Sequence, residues 1–188
     1  MRVASVTENE IKITIEAAFD FANHLLDGDL DARALLTGVG FSGAAEASAA
    51  SLERATARIG DLLDLFRGLA DEETGVEEVS GRLNEELAPL PIHPAIVDHG
   101  GVGPHLHWTP ERSRFDDKVI ADMLMSIAQE VCDNGTARFG LCAADDCDHF
   151  FYDATRNGSR RFCSDPRCAS RTHTADHRAR KRESDGKK

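Results

Sequence analysis

Four of the five cysteines in this 188-residue chain fall between Leu141 and Arg171, in two equally spaced pairs, Cys142-x4-Cys147 and Cys163-x4-Cys168. Thiolates arranged in two short loops are a donor set for tetrahedral Zn²⁺, with Zn–S bonds of roughly 2.3 Å. With four sulfur ligands no coordination position is left for water, so the expected cofactor is one structural Zn²⁺ and not a catalytic ion. An iron–sulfur cluster, a redox dithiol pair and four unligated buried cysteines stay open as alternatives. A redox pair usually needs Cys-x-x-Cys, which is absent. The fifth cysteine, Cys132, sits in a helical pattern and is expected to pack as a small buried apolar residue.

The two pairs must be brought together. His149 to Asp153 is rich in strand-favouring aromatics, and Asn157-Gly158 is the dipeptide that a tight type I′ turn prefers, so the intervening segment reads as a β-hairpin. A hairpin joins its ends and with them the cysteine loops. About fifty residues with few aliphatic side chains supply little core, and metal binding energy takes its place.

Arginines crowd the second pair. Arg156, Arg160, Arg161 and Arg167 come from the hairpin and second loop, while Arg171 and Arg178 lie on one face of a helix expected after Cys168, capped by Ser170 or Thr172. Guanidinium forks suit phosphate oxygens and guanine edges, so these six residues are the candidate nucleic-acid contacts and DNA the expected partner. The competing local role for Arg160 or Arg161 is a hydrogen bond to Asp153 or neutralisation of the tetrathiolate centre.

The stretch "CAADDCDHFFYDATRNGSRRFCSDPRCASR" resembles the CGNR zinc finger. Asp153, Thr155, Arg156, Asn157, Ser159, Arg160, Arg161, Cys163 and Cys168 stand at the places of that family's motif. The signature itself reads Cys168-Ala169-Ser170-Arg171 here, with Phe162 where Trp is usual. Upstream, "FDFANHLL" is similar to the opening of the ABATE domain that precedes this finger. The resemblance implies a stress-responsive bacterial transcription regulator: a finger on DNA and a body that senses a small-molecule or protein effector or forms a homodimer.

The elements that carry these residues are mainly helical. Ala18, Phe21, Ala22 and Leu25 form a short stripe ending at Asp27-Gly28. Leu52, Ala55, Ile59, Leu62, Phe66 and Leu69 continue over five turns, with "SGAAEASAAS" read as a helical lead-in. Val76, Val79, Leu83 and Leu87 make a third stripe, stopped by Pro89 and Pro91. Ile120, Leu124, Ile127 and Val131 make a fourth, from a start at Thr109-Pro110-Glu111 to a left-handed cap at Asn134-Gly135. Between the last two, "PAIVDHGGVGPHLHWTP" reads as two short strands around glycines. The expected fold is mainly α: a helical domain with a small hairpin over residues 1–137, and a zinc-binding module with a β-hairpin and a helix over 138–188.

Net charge is −11, unevenly spread: residues 156–188 hold 11 basic and 4 acidic side chains, against 10 and 25 in residues 1–137. An acidic body with a basic segment fits nucleic acid as partner. No apolar run reaches membrane-spanning length and the N-terminus lacks a signal-peptide core, so no membrane partner and a cytoplasmic location are expected. Two other readings stay open. A zinc-stapled module can grip a protein instead of DNA. An enzyme could use His93, His99, His105 and His107, of which His105 and His107 share one strand face, but no full ligand motif or nucleophile elbow accompanies them. No catalytic residue is assigned.

Overall fold

The computed structural model describes residues 6–98 and 103–174, so the expectations for His99 and Arg178 lie outside the described residues. Helix α1 (Val6–Asp27) is far longer than the stripe that announces it. Ile15, Ala17, Ala18, Phe19, Phe21 and Ala22 are all buried, so this helix presents a broad apolar face to the core. It ends at Gly28, whose φ of +72° suits the residue after a helix because no Cβ opposes it.

The short α2 (Ala32–Gly38) had no periodic signal; Asp31 caps it by accepting from the Ala34 N–H at 3.0 Å. The alanine-rich segment is not a helical lead-in. Arg33 donates to the carbonyls of Ala44, Ala45 and Ala47 and holds that stretch in turns, and helix α3 (Ala49–Asp61) starts only after Ser48 caps it. The expected single long helix is two. α3 and α4 (Leu63–Ala70) are separated by Leu62, whose N–H turns tightly back to the Ile59 carbonyl at 3.1 Å. Ala55, Ile59, Leu62, Phe66 and Leu69 are nonetheless all buried. Apolar spacing reports which side chains are buried, not whether the backbone ladder runs unbroken.

Helix α5 (Val76–Leu87) follows its stripe, with Val79 and Leu83 buried. Strands β1 (Ala95–Asp98) and β2 (Pro104–His107) pair antiparallel, Ile96 opposite Leu106 and Val97 opposite His105. The Thr109-Pro110-Glu111 segment makes a turn, closed by Ser113 N–H to Pro110 O, and helix α6 (Phe115–Asn134) begins later than expected. Asp116 in its first turn decides the start. That carboxylate is 2% exposed and accepts from Arg54 Nε at 3.2 Å and Arg114 Nη2 at 2.9 Å. Burial opposes its charge, but these two guanidinium bonds hold its pKa below the ordinary aspartate value. Gly135 ends α6 with φ +67°. Cys132, near that end, is exposed, because its position faces away from α1, α3 and α5, against which α6 packs. This corrects the expectation of burial.

Strands β3 (Phe139–Leu141) and β4 (Phe150–Tyr152) form the second antiparallel pair. Phe139, Phe150 and Tyr152 enter the same buried cluster as Phe19 and Phe66 of the helical body. Phe19 is the hub, with ring centroids 5.3 Å from Phe66, 5.8 Å from Phe139 and 5.7 Å from Phe150. The segment thus borrows core from the body as well as using metal. On the other face Phe151 lies over Gly140, where a Cβ would stand 2.5 Å from the ring, so a larger residue there would have to displace that ring. Helix α7 is described from 166 to 174.

Candidate metal centre

The cysteine loops meet through backbone pairing, though not through the hairpin expected. Asn157-Gly158 is not a type I′ turn: Gly158 has φ +56°, while no non-glycine residue takes positive φ among the described residues, and type I′ needs it at both positions. Asp153 organises the turn instead. Its buried carboxylate accepts from Thr155 N–H at 2.8 Å and Arg160 N–H at 2.7 Å, as an Asx-type anchor does. Burial would raise its pKa, but those bonds hold it below the usual value. The chain then returns beside β3, where Ala143 N–H donates to Arg161 O at 2.8 Å and Cys142 N–H to His149 O at 2.8 Å. The second bond closes the first cysteine loop, and the first sets that loop against the segment leading into Cys163.

Cys147 closes its loop on Ala144 O at 3.1 Å. Cys168 sits in the first turn of α7, which begins before it and not after it. Asp165 caps that turn through Arg167 N–H at 2.8 Å, and Pro166 occupies the opening position that needs no N–H donor. Ser170 and Thr172 are therefore inside the helix, bonding back to the carbonyls of Pro166 and Cys168.

The four sulfurs lie within 4.8 Å of one another, with Cys147–Cys163 at 3.8 Å and Cys163–Cys168 at 3.7 Å. The edge of a sulfur tetrahedron around zinc, from bonds of about 2.3 Å, is about 3.8 Å. Two of the six separations match that edge and the rest are no longer than 4.8 Å, so the four sulfurs are grouped closely enough to take the ion. They are unbridged, and with Ala144 and Phe162 they form a small cluster of their own. The centre is a tetrathiolate site for one structural zinc. Arg171 Nη2 donates to Cys168 Sγ at 3.4 Å while its Nη1 lies 3.2 Å from Asp146 Oδ2, so one guanidinium offsets thiolate charge and ties α7 to the first loop.

The other arginines divide. Arg160 is committed to structure: Nε donates to Phe162 O at 2.8 Å, Nη1 to Tyr152 O at 3.2 Å, and the guanidinium covers Phe151. Its main-chain N–H, not its side chain, reaches Asp153. Arg167 forks onto Asp165 at 2.7–3.0 Å but stays 78% exposed. Arg161 is exposed and stacks loosely on Phe162 at 5.8 Å; Arg156 is exposed with no described partner. Beside the centre, a cleft of about 620 Å³ is lined by Arg67, Arg167 and Arg171 together with Asp27, Asp146 and Asp165.

Asn23 was not singled out by sequence reasoning. Its side chain donates to Phe150 O at 2.9 Å and accepts from Phe150 N–H at 2.8 Å, clamping β4 to α1. A polar residue inside the apolar run "FANHLL" was the available signal. Of the histidines, His105 and His107 are in contact, with Nε2 atoms 3.2 Å apart. His93 joins them through no three-donor group: among the described residues only the cysteines form one.

A family model described as the CGNR zinc finger matches residues 138–181, a span that contains all four cysteines, Asp153 and Arg160. No curated protein matches the chain.

Proposed function

We propose that this zinc-binding protein is a transcription regulator that contacts DNA through the arginines fixed around its four-cysteine centre. The observation that carries this reading is the placement of exposed Arg156, Arg161, Arg167 and Arg171 around the four-cysteine site. Behind them the sequence runs on through His177-Arg178-Ala179-Arg180-Lys181-Arg182. Arginine forks bind phosphate oxygens in pairs, and a preformed scaffold reduces the side-chain ordering that binding costs. Arg160, bonded to two carbonyls, acts on this reading as a support and not a contact. Arg167 and Arg171 would exchange aspartate partners for phosphate. The acidic helical body, ABATE-like in its opening residues, is the sensing or dimerisation part and opposes non-specific attraction to phosphate. The reading involves no catalysis, and a reducing cytoplasm would keep the thiolates available for zinc.

The test is fluorescence anisotropy of the zinc-loaded full chain with duplex DNA across a salt series. Binding should weaken steeply with salt, and Arg156→Ala or Arg161→Ala should each lower the log–log slope by about one unit. Arg160→Ala should instead lower thermal stability. No affinity for DNA at low salt, in protein shown to carry zinc, would overturn the reading in favour of a protein-binding module.

A further inference from the structure

Strand β2 carries His105 and His107 two residues apart, and a strand's side chains alternate, so both imidazoles leave one face. Both are half-buried, whereas Leu106 between them is on the outward face with Ile96, its partner across the hairpin. The rings approach with centroids 5.0 Å apart and planes inclined at 57°, and the nearest atoms are the two Nε2 nitrogens at 3.2 Å. His105 Nδ1 lies 2.9 Å from the Gly103 carbonyl oxygen. A carbonyl only accepts, so Nδ1 carries the proton and His105 Nε2 turns its lone pair toward His107. A ring nitrogen fixed by a backbone carbonyl is the arrangement that orients imidazole ligands at metal centres.

We propose that His105 and His107 form a second metal site, a two-imidazole clip on the helical body for a divalent transition ion such as Ni²⁺, Cu²⁺ or Zn²⁺. Nitrogens 3.2 Å apart, each about 2.0–2.1 Å from a shared ion, subtend an angle of about 100° at it, which suits tetrahedral or square-planar coordination. Without metal, His107 Nε2 must donate to His105 Nε2. Binding requires the His107 tautomer with its proton on Nδ1 and a tilt of the rings that turns both Nε2 lone pairs off the N···N line toward the ion, and neither ring need lose a proton to bulk. Imidazole selects borderline ions, whereas four thiolates select zinc or softer ions, so the two sites differ in chemistry. The remaining coordination positions belong to water or to a donor from an incoming ligand. The clip would give the body an input of its own, metal availability, and its existence does not depend on whether the module binds DNA.

The test uses the untagged, zinc-loaded full chain titrated with Ni²⁺, which does not oxidise thiols. One Ni²⁺ should bind per chain with zinc fully retained and without the intense absorption of nickel thiolate. His105→Gln and His107→Gln should each weaken that binding at least tenfold, as loss of one ligand requires, while exposed His93→Gln changes nothing. Should either variant fold poorly, proton NMR of the wild type decides. Sub-stoichiometric Ni²⁺ should broaden the His105 and His107 imidazole signals first, with those of His24 and His173 still sharp. No nickel uptake by zinc-loaded protein, uptake unchanged in both variants, or uniform broadening of all imidazoles would overturn the site.

Discussion

Replacing Asn23 with alanine should uncouple the zinc-bearing segment from the helical body. In an antiparallel ladder both main-chain groups of one residue point to the same side. Phe150 directs its N–H and C=O away from β3 and toward α1, where Asn23 meets them at 2.8 and 2.9 Å. Asn23 is 5% exposed and Phe150 1%, so water has little access to replace the amide. Each main-chain group left buried without a partner costs about 1–3 kcal/mol. Two such groups, partly relaxed, give a loss of about 3 kcal/mol, and about 2–4 °C per kcal/mol for a chain of this size puts the fall in Tm near 10 °C. Chemical denaturation and calorimetry of the zinc-loaded protein near neutral pH measure both. Asn23→Asp keeps the acceptor but sets an anionic oxygen against the Phe150 carbonyl, so at neutral pH it should be no better than alanine. A loss below about 1 kcal/mol for Asn23→Ala, or an aspartate variant that melts with the wild type, would refute the clamp.

Asp153→Ala removes the acceptor for two main-chain N–H groups and should cost about 3 kcal/mol, with Asp153→Asn, which keeps one acceptor, near half of that; urea unfolding measures both. Cys142, Cys147, Cys163 or Cys168 changed to serine should lower bound zinc well below one per chain by metal analysis, while exposed Cys132→Ser leaves it unchanged. Asp122 has its pKa pushed up to about 7 by burial, an effect that Lys118 only partly offsets. An acid whose folded pKa is raised destabilises the fold as pH climbs from its unfolded value near 4 to about 7. Asp122→Asn should therefore match the wild type near pH 4 and exceed it by roughly 1–3 kcal/mol above pH 7, read as the difference between the two proteins at each pH.

The body's helices were legible as stripes because burial of one face imposes its period on the sequence wherever the helix lies. The stripes did not show the break at Leu62, the late start of α6 or the helix α2, since those depend on particular hydrogen bonds and buried charges. Cys132 shows the same gap: a helical pattern says that a residue is on a helix, not which neighbour covers it.

The zinc centre was determined by the sequence itself. Four thiols in two matched loops leave few chemical choices, and ligand type and spacing are properties of the chain. Tertiary structure alone decided how the loops meet, through the carboxylate of Asp153 and the return of Arg161 to Ala143, and not through a tight turn at Asn157-Gly158. It also decided the arginines: both lie over an aromatic ring, but only the Arg160 guanidinium also has two main-chain carbonyls within reach. The join between Asn23 and Phe150 spans 127 positions. No local pattern specifies such a pair, because its stability comes from excluding water, and only the packed core does that.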